Sequence, residues 1–142
     1  MFSLQIKYLS FFFGLISVLS FFNIIYSYYL NLYLNLDTYY LSLIISLIIS
    51  VLFYKIKTSE KKSSIFEKIL TVFFGYLLIP LVLSIPFYFS IYNITFLNSY
   101  FEAISGFTST GFTIFENIKH IDQSLILWRS TTQWIGGLYF LF

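Results

Sequence analysis

The chain has 142 residues, 58% of them hydrophobic and only 10% charged, with a net charge of +2. A soluble domain carries roughly a quarter of its residues as Asp, Glu, Lys and Arg, so this composition places the chain in a bilayer. The small net charge gives no reason to expect nucleic acid or an acidic substrate. The absence of cysteine excludes disulfides and thiolate metal sites, and the single His120 cannot form a metal cluster alone.

Charged residues punctuate three long apolar runs: Lys7 to Asp37, Asp37 to Lys55, and Lys68 to Glu102. Each is near or beyond the roughly 20 residues that a helix needs to cross a hydrocarbon core of about 30 Å. Lipid offers the backbone no hydrogen-bond partners, so helix is the default for such runs. A β-barrel would show alternation over strands of ~10 residues, which these unbroken apolar blocks lack.

In chain order, the first helix is expected from Tyr8 to about Leu30. Its apolar stretch is too long for a secretory signal, and no A-x-A-like cleavage site follows it. A loop, Asn31 to Thr38, leads to a second helix from about Tyr39 to Tyr54. The segment Lys55 to Lys68 then holds five lysines (Lys55, Lys57, Lys61, Lys62, Lys68) against Glu60 and Glu67. Lysine-rich short loops stay in the cytoplasm, which puts the N-terminus there too. A third helix is expected from Ile69 to Tyr92, with Pro80 and Pro86 kinking or ending it. Asn93-Ile94-Thr95 matches a glycosylation sequon that nothing else in the chain supports.

The character changes after Asn98. Ser99 and Glu102 have the spacing of a capping box, which predicts a short helix from Tyr100 to about Phe107. Two turns span ~12 Å and cannot cross a membrane. The run Thr108-Ser109-Thr110-Gly111-Phe112-Thr113 follows, rich in hydroxyls and flanked by membrane-length helices. Irregular backbone at membrane depth is tolerated only where protein buries it or it lines a water-filled cavity. An extended Ser-Thr-Gly-Phe stretch can align carbonyl oxygens that replace the hydration shell of a monovalent cation, with Gly111 allowing a conformation that a Cβ forbids. The C-terminal end of the short helix carries partial negative charge, which also favours a cation.

Phe101-Glu102-Ala103-Ile104-Ser105-Gly106-Phe107-Thr108-Ser109-Thr110-Gly111-Phe112-Thr113 resembles the first pore loop of the TrkH/KtrB potassium-transporter superfamily. Trp128-Arg129-Ser130 and Gln133-Trp134-Ile135-Gly136-Gly137 resemble the start of the helix after that loop. Ile85-Pro86-Phe87 resembles the end of the helix before it. Two helices ahead of the first pore unit fit the TrkH branch. The resemblance implies potassium uptake through four membrane–pore–membrane repeats around a pseudo-fourfold pore, with K⁺ as cargo and no cofactor. It also implies a cytoplasmic nucleotide-binding regulatory subunit and a bacterial inner-membrane location. By position, Ser109, Thr110, Gly111 and Phe112 would bind the ion through backbone carbonyls, with Thr108 and Thr113 flanking them.

The expected architecture is therefore an all-α integral membrane protein. Residues 1–62 form a two-helix transmembrane hairpin, and residues 63–142 form a first membrane–pore-loop–membrane unit whose last helix is incomplete. With one pore loop, such a chain is a fragment or one piece of an assembly, to be completed by missing repeats or further subunits.

Glu102 is expected to cap its helix or to draw cations to the outer mouth. Arg129 is expected at the outer interface, pairing locally or tuning the pore. Gly136 and Gly137 suit tight helix packing or a hinge. Glu116, Lys119, His120 and Asp122 are expected on an external, solvated loop. No Ser/His/Asp set, paired carboxylates or phosphate-binding loop is present, so no enzyme activity is expected. Two other roles suit the same residues: an assembly protein whose Ser/Thr/Gly cluster packs helices, and a homotetrameric mini-channel.

Overall fold

A computed structural model describes residues 6–56 and 64–141. Among them every regular element is helical: α1 (Ile6–Tyr29), α2 (Leu36–Lys55), α3 (Ile65–Leu83), α4 (Ile85–Tyr88), α5 (Phe96–Phe107) and α6 (Gln123–Leu141), with a single 3₁₀ turn at Ile118–His120. Three stretches are long and apolar enough to cross a membrane: Ile6–Tyr29, Leu36–Lys55 and Ile65–Tyr88. The chain is an all-α membrane protein. Residues 57–63 fall outside the described residues, and with them Lys57, Glu60, Lys61, Lys62 and the expected domain boundary at 62/63.

α1 and α2 form a hairpin whose contact face is polar and whose outer face is apolar. Ser10, Ser17, Ser20, Asn23 and Ser27 of α1 are buried, as are Ser42 and Ser46 of α2, while Phe11, Val18, Phe21, Phe22 and Ile25 point outward. Helices in lipid gain nothing by hiding one leucine behind another, so they associate where small side chains let backbones approach and hydrogen-bond. Ser10, Ser20, Ser42 and Ser50 do both. Ser10 Oγ donates to Ser50 O at 2.8 Å and Ser50 Oγ to Ser10 O at 2.9 Å, while Ser20 Oγ and Ser42 Oγ lie 3.2 Å apart.

α3 starts four residues before the expected Ile69. Ser64 and Glu67 make a complete capping box there, satisfying backbone donors that would otherwise be orphaned. The span breaks at Ser84, between Pro80 and Pro86, and continues as the single turn α4. Proline supplies no N–H, so carbonyls near the break need other donors. The indole of Trp128, fully buried on α6, donates to Leu83 O at 3.0 Å. That bond ties α6 to the elbow.

The half-length helix α5 spans twelve residues, about 18 Å. It begins at Phe96, with Thr95 as its cap; Thr95 Oγ1 accepts from Asn98 N at 3.4 Å. The expected capping box at Ser99 and Glu102 does not form. Ser99 lies one turn inside the helix with its hydroxyl on Thr95 O, and Glu102 is directed into the protein.

α5 sits in a slot whose walls lack side chains. A Cβ at Gly136 would overlap the Phe107 carbonyl, one at Gly106 would overlap Thr132, and one at Gly75 would overlap the Tyr139 hydroxyl. Tyr139 OH donates to Thr71 O at 3.1 Å and Val72 O at 3.2 Å, joining α6 to α3. The neighbouring Gly137 meets nothing within 4 Å.

The two adjacent glycines should therefore respond oppositely. Gly136→Ala should destabilise the protein by about 1–3 kcal/mol through overpacking. Gly137→Ala should be neutral, or stabilising by up to about 1 kcal/mol from helix propensity. Unfolding transitions of the two variants in mild detergent check this; equal transitions would place the α5–α6 contact elsewhere.

Candidate functional site

The backbone leaves the helix at Thr108 in a defined way. Thr108 N donates to Ile104 O at 2.8 Å, Ser109 N to Gly106 O at 2.9 Å, and Thr110 N to Ser105 O at 3.1 Å. With Ser109 at φ 57°, this is a Schellman closure built on a non-glycine residue. A serine in that region is uncommon and strained. Gly111 follows at φ 79°, where only glycine rests without cost.

The loop is buttressed from its inner side. Ser105 Oγ donates to Phe112 O at 2.7 Å, and its hydroxyl lies 3.1 Å from that of Thr110. Thr108 Oγ1 turns back onto Ile104 O at 2.8 Å. The carbonyls of Thr108, Ser109 and Thr110 accept no hydrogen bond among the described residues. Phe112 is 70% exposed, and Thr108 through Gly111 are exposed as well. A recess of about 250 Å³ adjoins the loop, lined by Tyr76, Phe107, Thr108, Ser109, Gly137 and Phe140.

Glu102 and Arg129 hold the far end of the loop. Arg129 Nε pairs with Glu102 Oε1; the glutamate is fully buried and the arginine side chain 13% exposed. The carboxylate also accepts from Thr113 Oγ1 at 3.1 Å and from Ile114 N at 3.0 Å. Arg129 Nη2 reaches Gly111 O at 3.2 Å and Phe112 O at 3.4 Å. Glu102 thus does not cap α5, because burial and this partner fix it inside. Arg129, expected at the outer interface, is largely buried, pairs with Glu102 across 27 residues of sequence, and in addition touches the loop.

Asp122, expected on a solvated surface, is half-buried in a polar cluster. Its Oδ2 accepts from Asn35 Nδ2 and Ser124 Oγ, both at 2.8 Å, and its backbone N–H donates to Tyr92 OH at 2.7 Å. Ser124 accepts in turn from Tyr39 OH at 2.8 Å, and Asn35 Oδ1 accepts from Ile91 N at 3.1 Å. The partners lie up to 87 residues away, so no local pattern announces the cluster. Its role is to join the hairpin to the start of α6. Among the described residues no group of three or more His, Asp or Glu could hold a metal ion.

Comparison with known proteins gives several relatives. An uncharacterised cation transporter of Methanocaldococcus jannaschii is 28% identical over 127 residues, which is 88% of this chain and 27% of that protein. A potassium uptake protein of the Trk system, TrkI of Halomonas elongata, is 38% identical over 60 residues, 42% of this chain and 11% of the relative. TrkG of Escherichia coli is 37% identical over 46 residues, covering 32% and 10% respectively. The chain is similar to Trk potassium uptake proteins. These matches agree with the resemblance to the TrkH-type superfamily, and the similarity is to part of each relative: the chain spans about a quarter of the first relative's length. No family model and no solved structure matches.

Removing one partner of the buried pair strands the other, at a typical cost of about 3–5 kcal/mol. Glu102→Ala and Arg129→Ala should each show such a loss, and the double variant should lose clearly less than their sum. A double-mutant cycle from detergent unfolding tests this. Strict additivity would mean that the two side chains do not support each other.

Proposed function

We propose that this chain supplies one pore-lining unit of a potassium uptake protein, with the loop from Thr108 to Thr113 re-entering the membrane to line the ion path. The observation that carries the reading is the run of carbonyls from Phe107 to Thr110 that accept no hydrogen bond among the described residues, at the C-terminal end of a helix too short to span a bilayer. The loop is exposed on this chain, and lipid cannot satisfy exposed carbonyls, so at membrane depth such a run would have to face a water-filled path or a ligand. An unhydrated alkali cation suits it, since carbonyl dipoles can replace its water and the helix end favours positive charge.

In this reading Ser109, Thr110, Gly111 and Phe112 form the filter segment, with Thr108 and Thr113 as its flanks. Ser109 and Thr110 offer wholly free carbonyls. Gly111 keeps a second lone pair beyond its bond from Arg129, whereas Phe112 O already accepts from both Ser105 and Arg129 and would coordinate an ion most weakly. Gly111 serves by conformation. A single segment covers one side of an ion, so further pore segments, from repeats or subunits, complete the ring. K⁺ is the cargo, and a cytoplasmic nucleotide-binding subunit is the regulator that the Trk-type similarity suggests. The chain would lie in a bacterial inner membrane with its N-terminus and lysine-rich segment in the cytoplasm. Transport, not enzymatic chemistry, is its work.

The reading is tested on Rb⁺ uptake by the full gene product in cells without other potassium uptake. At φ 79° an added Cβ at Gly111 would meet no neighbour, so substitutions there act through the backbone alone. Gly111→Val should abolish uptake or its preference for Rb⁺ over Na⁺, whereas Gly111→Asn, tolerated at positive φ, should retain more of both. An unchanged preference in Gly111→Val would remove Gly111 from the filter. The chain has no cysteine, so single-Cys variants at residues 108–113 provide an independent check. Aqueous thiol reagents should modify them and inhibit uptake; complete protection would favour a helix-packing role instead.

A further inference from the structure

Glu102 and Arg129 are charged where charge is expensive. Burying an ion pair seldom stabilises a protein more than apolar side chains of similar volume, so packing alone does not account for one. What distinguishes this pair is its third party. Arg129 presents Nε to the Glu102 carboxylate and Nη2 to the carbonyls of Gly111 and Phe112, so one planar guanidinium bridges α5, α6 and the loop.

Two effects follow. Geometrically, the Gly111 and Phe112 carbonyls are held at one end of the loop, while those of Thr108, Ser109 and Thr110 are not. Electrostatically, a cationic donor draws electron density from the carbonyls it binds, so they become weaker ligands for a metal ion than their free neighbours. Glu102 cancels the charge of the arginine, without which a cation path would run beside an unopposed positive group. It also accepts from Thr113 Oγ1 and Ile114 N, fixing the chain just beyond the loop.

We propose that Arg129 is a specificity-determining positioning residue for a monovalent cation, grading the loop into free carbonyls at 108–110 and restrained, weakened ones at 111–112, with Glu102 as its counter-charge. This rests on the filter reading of the loop. Arg129 acts through the carbonyls it holds and does not itself touch the ion.

The test measures Rb⁺ uptake and its competition by Na⁺ for the full gene product, with membrane abundance checked for every variant. Arg129→Lys retains a cation for Glu102 but lacks the fork that reaches both carbonyls. It should reach the membrane, yet its preference for Rb⁺ over Na⁺ should fall on the order of tenfold, the effect of about one lost hydrogen bond. Glu102→Gln should lower cation uptake most at low ionic strength and recover as salt rises, because an unopposed charge is screened. A purely structural pair would show no such salt dependence.

Should Arg129→Lys fail to fold, the double variant Glu102→Gln with Arg129→Met removes both charges and keeps the volume. It is expected to fold and to lose ion preference. Wild-type preference in whichever of these two variants folds overturns the proposal. If Gly111→Val changes preference while the Arg129 variants do not, only this inference falls; if none changes it, the filter reading falls as well.

Discussion

The hydrocarbon core lends no hydrogen bonds, and on the proposed re-entrant reading the loop after α5 would live under that constraint. A helix satisfies its own backbone; a chain that leaves the helix has to be held by other protein. Everything around Thr108–Thr113 follows from this need. The Schellman closure answers the last carbonyls of α5, Ser105 and Arg129 answer those of Gly111 and Phe112, and Glu102 takes the hydroxyl of Thr113 and the N–H of Ile114. Among the described residues the carbonyls from Phe107 to Thr110 remain, a consecutive run. Their grouping, more than their number, is what points to an ion.

Holding the loop requires α5 and α6 to lie closer than ordinary side chains permit. Gly136 against the Phe107 carbonyl and Gly106 against Thr132 provide that approach, and it brings Arg129 within reach of both Glu102 and the loop. The polar seam of α1 and α2 applies the same rule to the hairpin, with serine in place of glycine. In lipid, close packing is a matter of small residues, and polarity turns inward.

The parts legible from residues alone are those governed by composition. Three charge-free runs correspond to α1, α2 and the α3–α4 span, because the cost of a charge in lipid does not depend on what else the chain does. Helix starts are less legible. Ser64 and Glu67 have the same spacing as Ser99 and Glu102, yet only the first pair forms a capping box. The difference is Thr95, which caps α5 one turn earlier and leaves the Ser99 N–H bonded within the helix, while Arg129, 27 residues along the chain, takes the Glu102 carboxylate. Asp122 misleads for the same reason, since Asn35 reaches it from the hairpin. The serine seam is silent in the sequence because hydropathy records how apolar a helix is and not which side touches a neighbour. The loop stands out because a glycine among hydroxyls, set between membrane-length helices, breaks a pattern that lipid otherwise enforces.

The bundle is fastened differently at its two ends. At the end away from the N-terminus, Asp122 gathers Asn35, Ser124 and the Tyr92 hydroxyl through short, directional bonds. Near the N-terminal end of α1, the hydroxyls of Ser10, Ser50 and Tyr139 tie α1 to α2 and α6 to α3, while α1 meets α6 mostly ring against ring, through Tyr8, Phe12 and Tyr139. Directional bonds resist rotation, whereas aromatic edges can roll over one another at small cost. A displacement of α1 against α6 would therefore pivot about the Asp122 clasp and open toward the aromatic cluster, as shears turn about their rivet. Any breathing between these two helices should widen their gap on the side where α1 begins.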